Sequence, residues 1–382
     1  MATTQMQAQG PMGTLMLTSL GGFVVTLGVA LAMLMSGGHA SFNTSSDGVN
    51  WGLPVVAYVF LSMTSTGLAL VAALATTFGQ KEYYAITKRC TWLSIATLVG
   101  GFTSLALEMG HPFRMLWAIP MNMQIVSPLF WMGVFYLIAL VLLVLKFQKM
   151  NAGDWDSPGS RMIGNLSVVA EILALGMLGA AFGMMAMRPA WYGSTVPLSF
   201  LLGGVTAGAA FAVLATHLAH GTDQDGMPEK VRSLLQGGLA KLFTGATALY
   251  LAYIGFHTLS GLWTNADGLQ VMDRIVATPW FWVGIIGLVV ALFIMLSPAQ
   301  RSNGAMQSVA SLLVLVAVFA GRYDYIIGGQ LVPMFKGTWV QGLVDYAPSL
   351  TEWMVTGVGI FLTLALFALG ERALNLGASP KK

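Results

Sequence analysis

Long, unbroken runs of apolar residues recur ten times along the chain. A spanning helix needs about 20 mainly apolar residues. By that ruler the runs fall at 14–36, 54–78, 91–109, 127–147, 165–187, 197–219, 238–263, 280–297, 306–328 and 351–370. They are continuous rather than alternating, which argues for helices and against a membrane barrel. The fourth run, SPLFWMGVFYLIALVLLVLKF, is the clearest, and the ninth is interrupted near its end by the charges of GRYDYIIGGQ. The expected fold is all-α, a polytopic bundle of about ten transmembrane helices. No internal repeat is visible and the connections are short, so residues 1–382 read as a single integral membrane domain.

Composition sharpens this picture. Of 382 residues, 56% are hydrophobic and 9% charged, against roughly 25% charged in soluble proteins. Mean hydropathy is +0.74. Too few charges remain to coat a water-facing surface, which excludes a cytosolic enzyme, a nucleic-acid binder and a disordered scaffold. One cysteine, Cys90, cannot close an internal disulfide, and an iron–sulfur cluster wants about four thiolates. Any electron centre would therefore sit on another chain or on a diffusible cofactor. The first charged residue is Asp47, so the positive n-region of a signal peptide is missing and 14–36 reads as a retained span.

Lysine and arginine set the expected orientation. With the N-terminus inside, thirteen of the 18 fall in inner segments and five (Arg114, Arg188, Arg274, Arg322, Lys336) in outer ones. Both termini are then cytoplasmic. Tryptophan is skewed the other way: nine of eleven lie at or near the outer face, against Trp92 and Trp155 inside. An aromatic belt marks both interfaces and explains only part of this. Two outer connections, 111–126 and 328–350, are rich in apolar residues, as fits segments lying in the interface or covered by a partner.

An ionisable side chain inside a span costs about 2.5–3.5 kcal/mol on insertion scales and marks a functional hypothesis. Glu108 closes the third run, His257 lies near the outer end of the seventh, and Arg322 and Asp324 near that of the ninth. His111 and Arg114 follow just beyond Glu108, and Arg188 closes the fifth run as an expected snorkelling anchor. Arg322 and Asp324 stand two apart and do not face one another on a regular helix. They point to different partners, or the helix is broken at Gly328 and Gly329. In the inner half, Glu171 is a candidate start of a proton path, and His217 a helix-end group. Of five histidines only His217 and His257 lie near spans, at opposite ends, so no axial pair for a haem is expected.

WGLPVVAYVFLSMTSTGLAL (51–70), GGFTSLALEMGHPFRMLW (100–117) with SPLFWMGVFY (127–136), and RYDYIIGGQLVP (322–333) with YAPSLTEWMVTGVGI (346–360) together resemble the NrfD/PsrC-type quinone-reactive membrane subunits. The resemblance is nearest to the longer members typified by HybB, QrcD and DsrP. It covers the second to fourth and ninth to tenth runs. It implies a subunit of a multi-subunit respiratory oxidoreductase in the bacterial inner membrane, binding menaquinone or ubiquinone near the periplasmic face. An iron–sulfur subunit would dock on that face, with a molybdopterin-type catalytic or cytochrome subunit beyond it. In LALEMGHPFR, His111 takes the place of the family's first basic residue and Arg114 follows. Arg322 fits the family's arginine, and Asp324 stands where longer members often carry asparagine.

The residues support such a role on their own chemistry. A quinone is a long apolar molecule with a polar redox-active ring, and it wants a lipid-accessible groove ending in a few polar groups. Its reduction takes protons as well as electrons, so a general acid or base must be in reach. Glu108, His257 and Asp324 are the proton-exchanging candidates. His111, Arg114, Trp131, Arg322 and Tyr323 are candidates for holding the ring, with Tyr325 another aromatic in place. The alternatives are a secondary transporter, with Gly328–Gly329 as a helix break at its site, or an anchor without its own quinone site.

Overall fold

The computed structural model describes residues 2–45, 48–264, 271–331 and 344–380, and side chains from residue 12 onward except at 112, 115, 116, 119 and 120. Among the described residues, ten helices are long and apolar enough to cross a membrane. They are α1 (Ala2–Gly37), α2 (Leu53–Thr76), α3 (Tyr84–Glu108), α4 (Pro128–Asn151), α5 (Pro158–Gly183), α6 (Val196–His220), α7 (Gly238–Trp263), α8 (Pro279–Leu296), α9 (Gly304–Tyr323) and α10 (Leu350–Ala373). The chain is a multi-pass membrane protein.

Local chemistry explains where helices start. Pro54, Pro128, Pro158, Pro197 and Pro279 each occupy a first-turn position, where a fixed φ helps and a missing N–H costs nothing. Ser157, Thr278 and Asn303 accept backbone N–H groups as caps, and Ser349 with Glu352 forms a full capping box ahead of α10. Three starts lie well before the apolar runs, that of α1 at Ala2 among them. α3 begins at Tyr84, because Lys88 and Arg89 are buried with partners of their own. Lys88 Nζ donates to Asn151 Oδ1 (2.9 Å) and the Leu374 carbonyl (2.6 Å), and Arg89 pairs with Glu371. α5 begins at Pro158, so Glu171 lies at mid-helix rather than two turns from an end.

The helices form two four-membered rings. In the first, α2, α3, α4 and α5 each pack on the next and α5 returns to α2; α6 to α9 repeat that pattern. The rings join along α2 and α6, while α1 lies against α10, which packs on α3. Lipid provides little hydrophobic drive between helices, so small residues that allow close backbone approach carry the contact. A Cβ on Gly208 of α6 would stand 2.3 Å from the Gly67 carbonyl carbon and 2.5 Å from Leu68 N of α2. Gly208→Ala is therefore expected to lower stability by about 1–3 kcal/mol through overpacking. Thermal unfolding in detergent checks this, with Gly176→Ala, whose added methyl meets nothing, as the near-neutral control.

The α1–α2, α3–α4, α5–α6, α7–α8 and α9–α10 connections gather at one end, here the upper end. Part of the tryptophan skew is core rather than belt. Trp191 is buried and stacks on Trp51 at 5.4 Å with 11° between the rings. Trp117, Trp263, Trp280, Trp282 and Trp353 are exposed. Trp339 and Lys336 fall outside the described residues, as does most of the apolar 328–350 connection. The other apolar connection contains a short helix, Pro112–Asn122, and exposes Phe113, Met121, Ile125 and Val126.

Candidate functional site

A crevice opens in the upper half of the second ring, between α6, α7, α8 and α9. Its walls are largely apolar: Val196, Ile254, Met272, Phe281, Ile285 and Leu288 among them. Three ionisable groups from two helices reach it, His257 from α7 and Arg322 and Asp324 from the end of α9. Tyr250, Tyr253 and Tyr325 add hydroxyls and ring faces. His257 stacks on Tyr253 (5.8 Å, 7°) and is exposed at the rim, on the same stretch of α7 as exposed Phe256 and Leu259.

Arg322 and Asp324 take different partners. Arg322 Nη2 donates to the Ser199 carbonyl (3.1 Å) and Tyr250 Oη (2.9 Å), and its guanidinium lies 4.5 Å from the Phe200 ring centre. Its Nε is buried without a partner. Asp324 Oδ1 accepts from Thr278 Oγ1 (2.6 Å), the residue that caps α8. Beyond Tyr323 the helix widens into a π-helical turn, Asp324–Gly328, of the kind frequent at functional sites. The turn frees the Tyr325 carbonyl for Trp191 Nε1 (2.7 Å). Gly329 is required there, since a Cβ would sit 2.1 Å from that indole nitrogen.

The other sequence candidates lie elsewhere. Tyr323 turns away from the crevice and packs on Trp280 (4.8 Å); Tyr325, two residues on, faces it instead. Trp131 sits on α4 in the other ring, stacked on Phe135 with its Nε1 on the Ile125 carbonyl. His111 and Arg114 are exposed at the start of the short upper helix. Glu108 does not join His257, Arg322 and Asp324, so the expected set of four divides. Its Oε1 accepts from Gly52 N (3.0 Å) and its Oε2 is buried without a partner. The fourth charge is separated because α3 belongs to the first ring and α7 and α9 to the second. Glu171 is fully buried in the first ring, accepting from Thr66 Oγ1 at 2.5 Å. His217 is held by Gln307 (2.7 Å) at the lower end, a satisfied helix-end group.

Several residues escaped sequence reasoning. Glu352 comes to the same Gly52 as Glu108, and a Cβ there would stand 2.0 Å from its Oε1. It accepts from Tyr346 Oη (2.5 Å), Ser349 N (2.7 Å) and Asn43 N (3.2 Å). Burial and this carboxylate push the Tyr346 phenol well above its ordinary range. The S-x-x-E spacing of Ser349 and Glu352 was the available signal. Gln330 accepts from Asn50 N and Trp51 N and takes Arg188 on its own carbonyl (3.0 Å), tying the rings together at the upper end. Arg188 is thus a buried strut rather than a snorkelling anchor.

The family model for polysulphide reductase NrfD matches residues 42–334, which run from the α1–α2 connection through the GGQL segment after α9. The chain belongs to the NrfD family. Among relatives of this NrfD-family chain, a selenate reductase subunit from Mesobacillus selenatarsenatis is 22% identical over 91% of both chains. An Hdr-like menaquinol oxidoreductase integral membrane subunit of Archaeoglobus fulgidus is 22% identical over 87% of both. Protein NrfD of Escherichia coli is 24% identical over 74% of this chain and 95% of its own length.

Proposed function

We propose that this chain is the quinone-reactive membrane subunit of a respiratory oxidoreductase complex, and that the quinone ring occupies the crevice of the second ring of helices. The observation that carries the reading is the convergence of His257, Arg322 and Asp324 on one apolar-walled space. Family membership and a relative named for menaquinol favour it over a transporter. They point to menaquinone or a similar quinone as the cofactor.

The residues fit such a group. The apolar lining suits an aromatic ring with a lipid tail, and the buried, unpartnered Arg322 Nε is a donor that a ring oxygen would satisfy. When bound, the quinone supplies two-electron chemistry that the protein side chains lack. Arg322, braced by Tyr250 and Ser199, holds a fixed positive charge beside the ring. Asp324 and His257 hold and exchange protons, one within the crevice and one at its rim. Rim exposure of His257 beside Phe256 and Leu259 provides lipid-side entry. The excess of lysine and arginine at the lower end supports reading the upper end as the periplasmic one, in a bacterial inner membrane. The exposed Phe113, Trp117 and Met121 then offer a partner iron–sulfur subunit an apolar rim, with its catalytic or cytochrome subunit beyond.

Purification with partner subunits in mild detergent, followed by lipid extraction, is expected to yield stoichiometric quinone. Arg322→Met is expected to lose most of it while the subunits remain together. A complex without quinone, or one whose quinone content ignores Arg322→Met, would sink the assignment.

A further inference from the structure

Trp191 stands on the α5–α6 connection and is buried; its neighbour Ala190 lines the crevice. The indole itself packs between the two helix rings, stacked on Trp51 of the α1–α2 connection and edge-on to Phe182 of α5 at 5.1 Å. It shares with Tyr325 two hydrogen bonds that run in opposite directions. Trp191 Nε1 donates to the Tyr325 carbonyl (2.7 Å), and Tyr325 Oη donates back to the Trp191 carbonyl (3.1 Å). The indole also wedges against Gly329, just past the π-helical turn, where an added Cβ would meet its atoms at 2.1 and 2.5 Å. Tyr325 in turn stands by Arg322, whose guanidinium is 5.7 Å from the phenol ring centre, and packs on Phe182 and Phe200.

On either side of the widened turn the chain is committed to a different ring of helices. Before it, Arg322 is fixed by the Ser199 carbonyl and Tyr250 in the second ring. After it, Gln330 accepts from Asn50 N and Trp51 N ahead of α2 and donates to the Trp51 carbonyl (2.9 Å). Each residue of an α-helix advances about 100°, so closing the turn by one residue would swing one of these ends off its partners. A single π-helical turn is a rare departure from α-geometry, and here the indole and the Tyr325 hydroxyl secure it. The geometry points to Trp191 as a positioning residue of the crevice: it clasps Tyr325 from behind, keeps the turn open and holds the phenol ring against Arg322, where a quinone headgroup would bind. This rests on the quinone reading for its ligand, though not for the clasp itself. Arg322 keeps Ser199 and Tyr250, and Asp324 keeps Thr278, when the clasp is loosened. The loss therefore falls on binding rather than on the reaction of bound ligand.

The test combines steady-state kinetics of the intact complex with fluorine NMR of the full chain in lipid nanodiscs, fluorotyrosine replacing Tyr325. Trp191→Phe is expected to shift or split the fluorine resonance, and to raise KM for a quinol analogue about tenfold with kcat within about twofold, the signature of lost uniform binding. Gly329→Ala pushes the indole out from the opposite side. It is expected to act in the same way, and it stands in should Trp191→Phe fail to fold. Tyr325→Ala should raise KM as much, and adding Trp191→Phe to it should change KM by less than about twofold, because the indole acts through Tyr325. An unmoved resonance, additive effects of the two substitutions, or a loss of kcat and thermal midpoint at constant KM would each overturn the positioning role. Where Arg322→Met raises KM but neither Trp191→Phe nor Gly329→Ala does, the positioning role falls and the crevice stands. Where Arg322→Met changes nothing, the crevice assignment falls, and the fluorine resonance still decides whether Trp191 holds Tyr325.

Discussion

Asp324→Asn is expected to lower quinone-coupled turnover by about 10²-fold or more, the usual worth of a positioned general acid or base. Asparagine keeps the volume and the oxygen that accepts from Thr278 Oγ1, so the cap of α8 survives while the exchangeable proton is lost. Steady-state oxidation of a quinol analogue by the intact complex measures this. Thr278→Val separates the roles, because it removes the cap and the same hydrogen bond but leaves the carboxylate. It is expected to cost about 0.5–2 kcal/mol of stability with far less effect on turnover. Equal losses in both variants would make Asp324 a prop for α8 and nothing more.

The second large effect lies at the other end of the protein. Arg89 is 1% exposed, paired with Glu371, and its Nη2 stands 3.3 Å from His220 Nε2. Nη1 already lacks a partner. Glu371→Leu leaves a buried cation with no counter-charge, and breaking such a pair typically costs about 3–5 kcal/mol. A fall in the thermal midpoint in detergent is the expected readout. Arg89→Met with Glu371→Leu should recover most of the loss, because replacing a whole buried pair with apolar side chains is often nearly neutral. A double variant as unstable as Glu371→Leu alone would assign the lower end some other glue.

How legible these features were depends on the range of the interaction. His257, Arg322 and Asp324 stood out because charge within an apolar run is conspicuous whatever it touches. Their separation from Glu108 was not readable. Depth along a helix follows from counting residues, but which ring a helix joins depends on contacts such as that of Gly67 with Gly208. The choice between Tyr323 and Tyr325 turned on a π-helical turn that widens the helix at Asp324; Gly328 and Gly329 signal an irregularity there but not its kind. Lys88 and Arg89 stand just ahead of the third apolar run at 91–109, yet both are buried, because the far end of α10 supplies Glu371 and the Leu374 carbonyl.

From the chain alone come the ten spanning helices, the all-α class and the family resemblance. Each rests on local properties, namely run length, backbone satisfaction within a helix, and short motifs. Tertiary packing decided the rest: two rings rather than one bundle, a crevice in the second ring, and Glu171 enclosed by hydroxyls in the first. The physical reason is that lipid solvates every apolar face alike. Hydropathy therefore says that a helix is in the membrane but not which neighbour it faces, and that choice is made by small-residue contacts and hydrogen bonds between residues far apart in the chain.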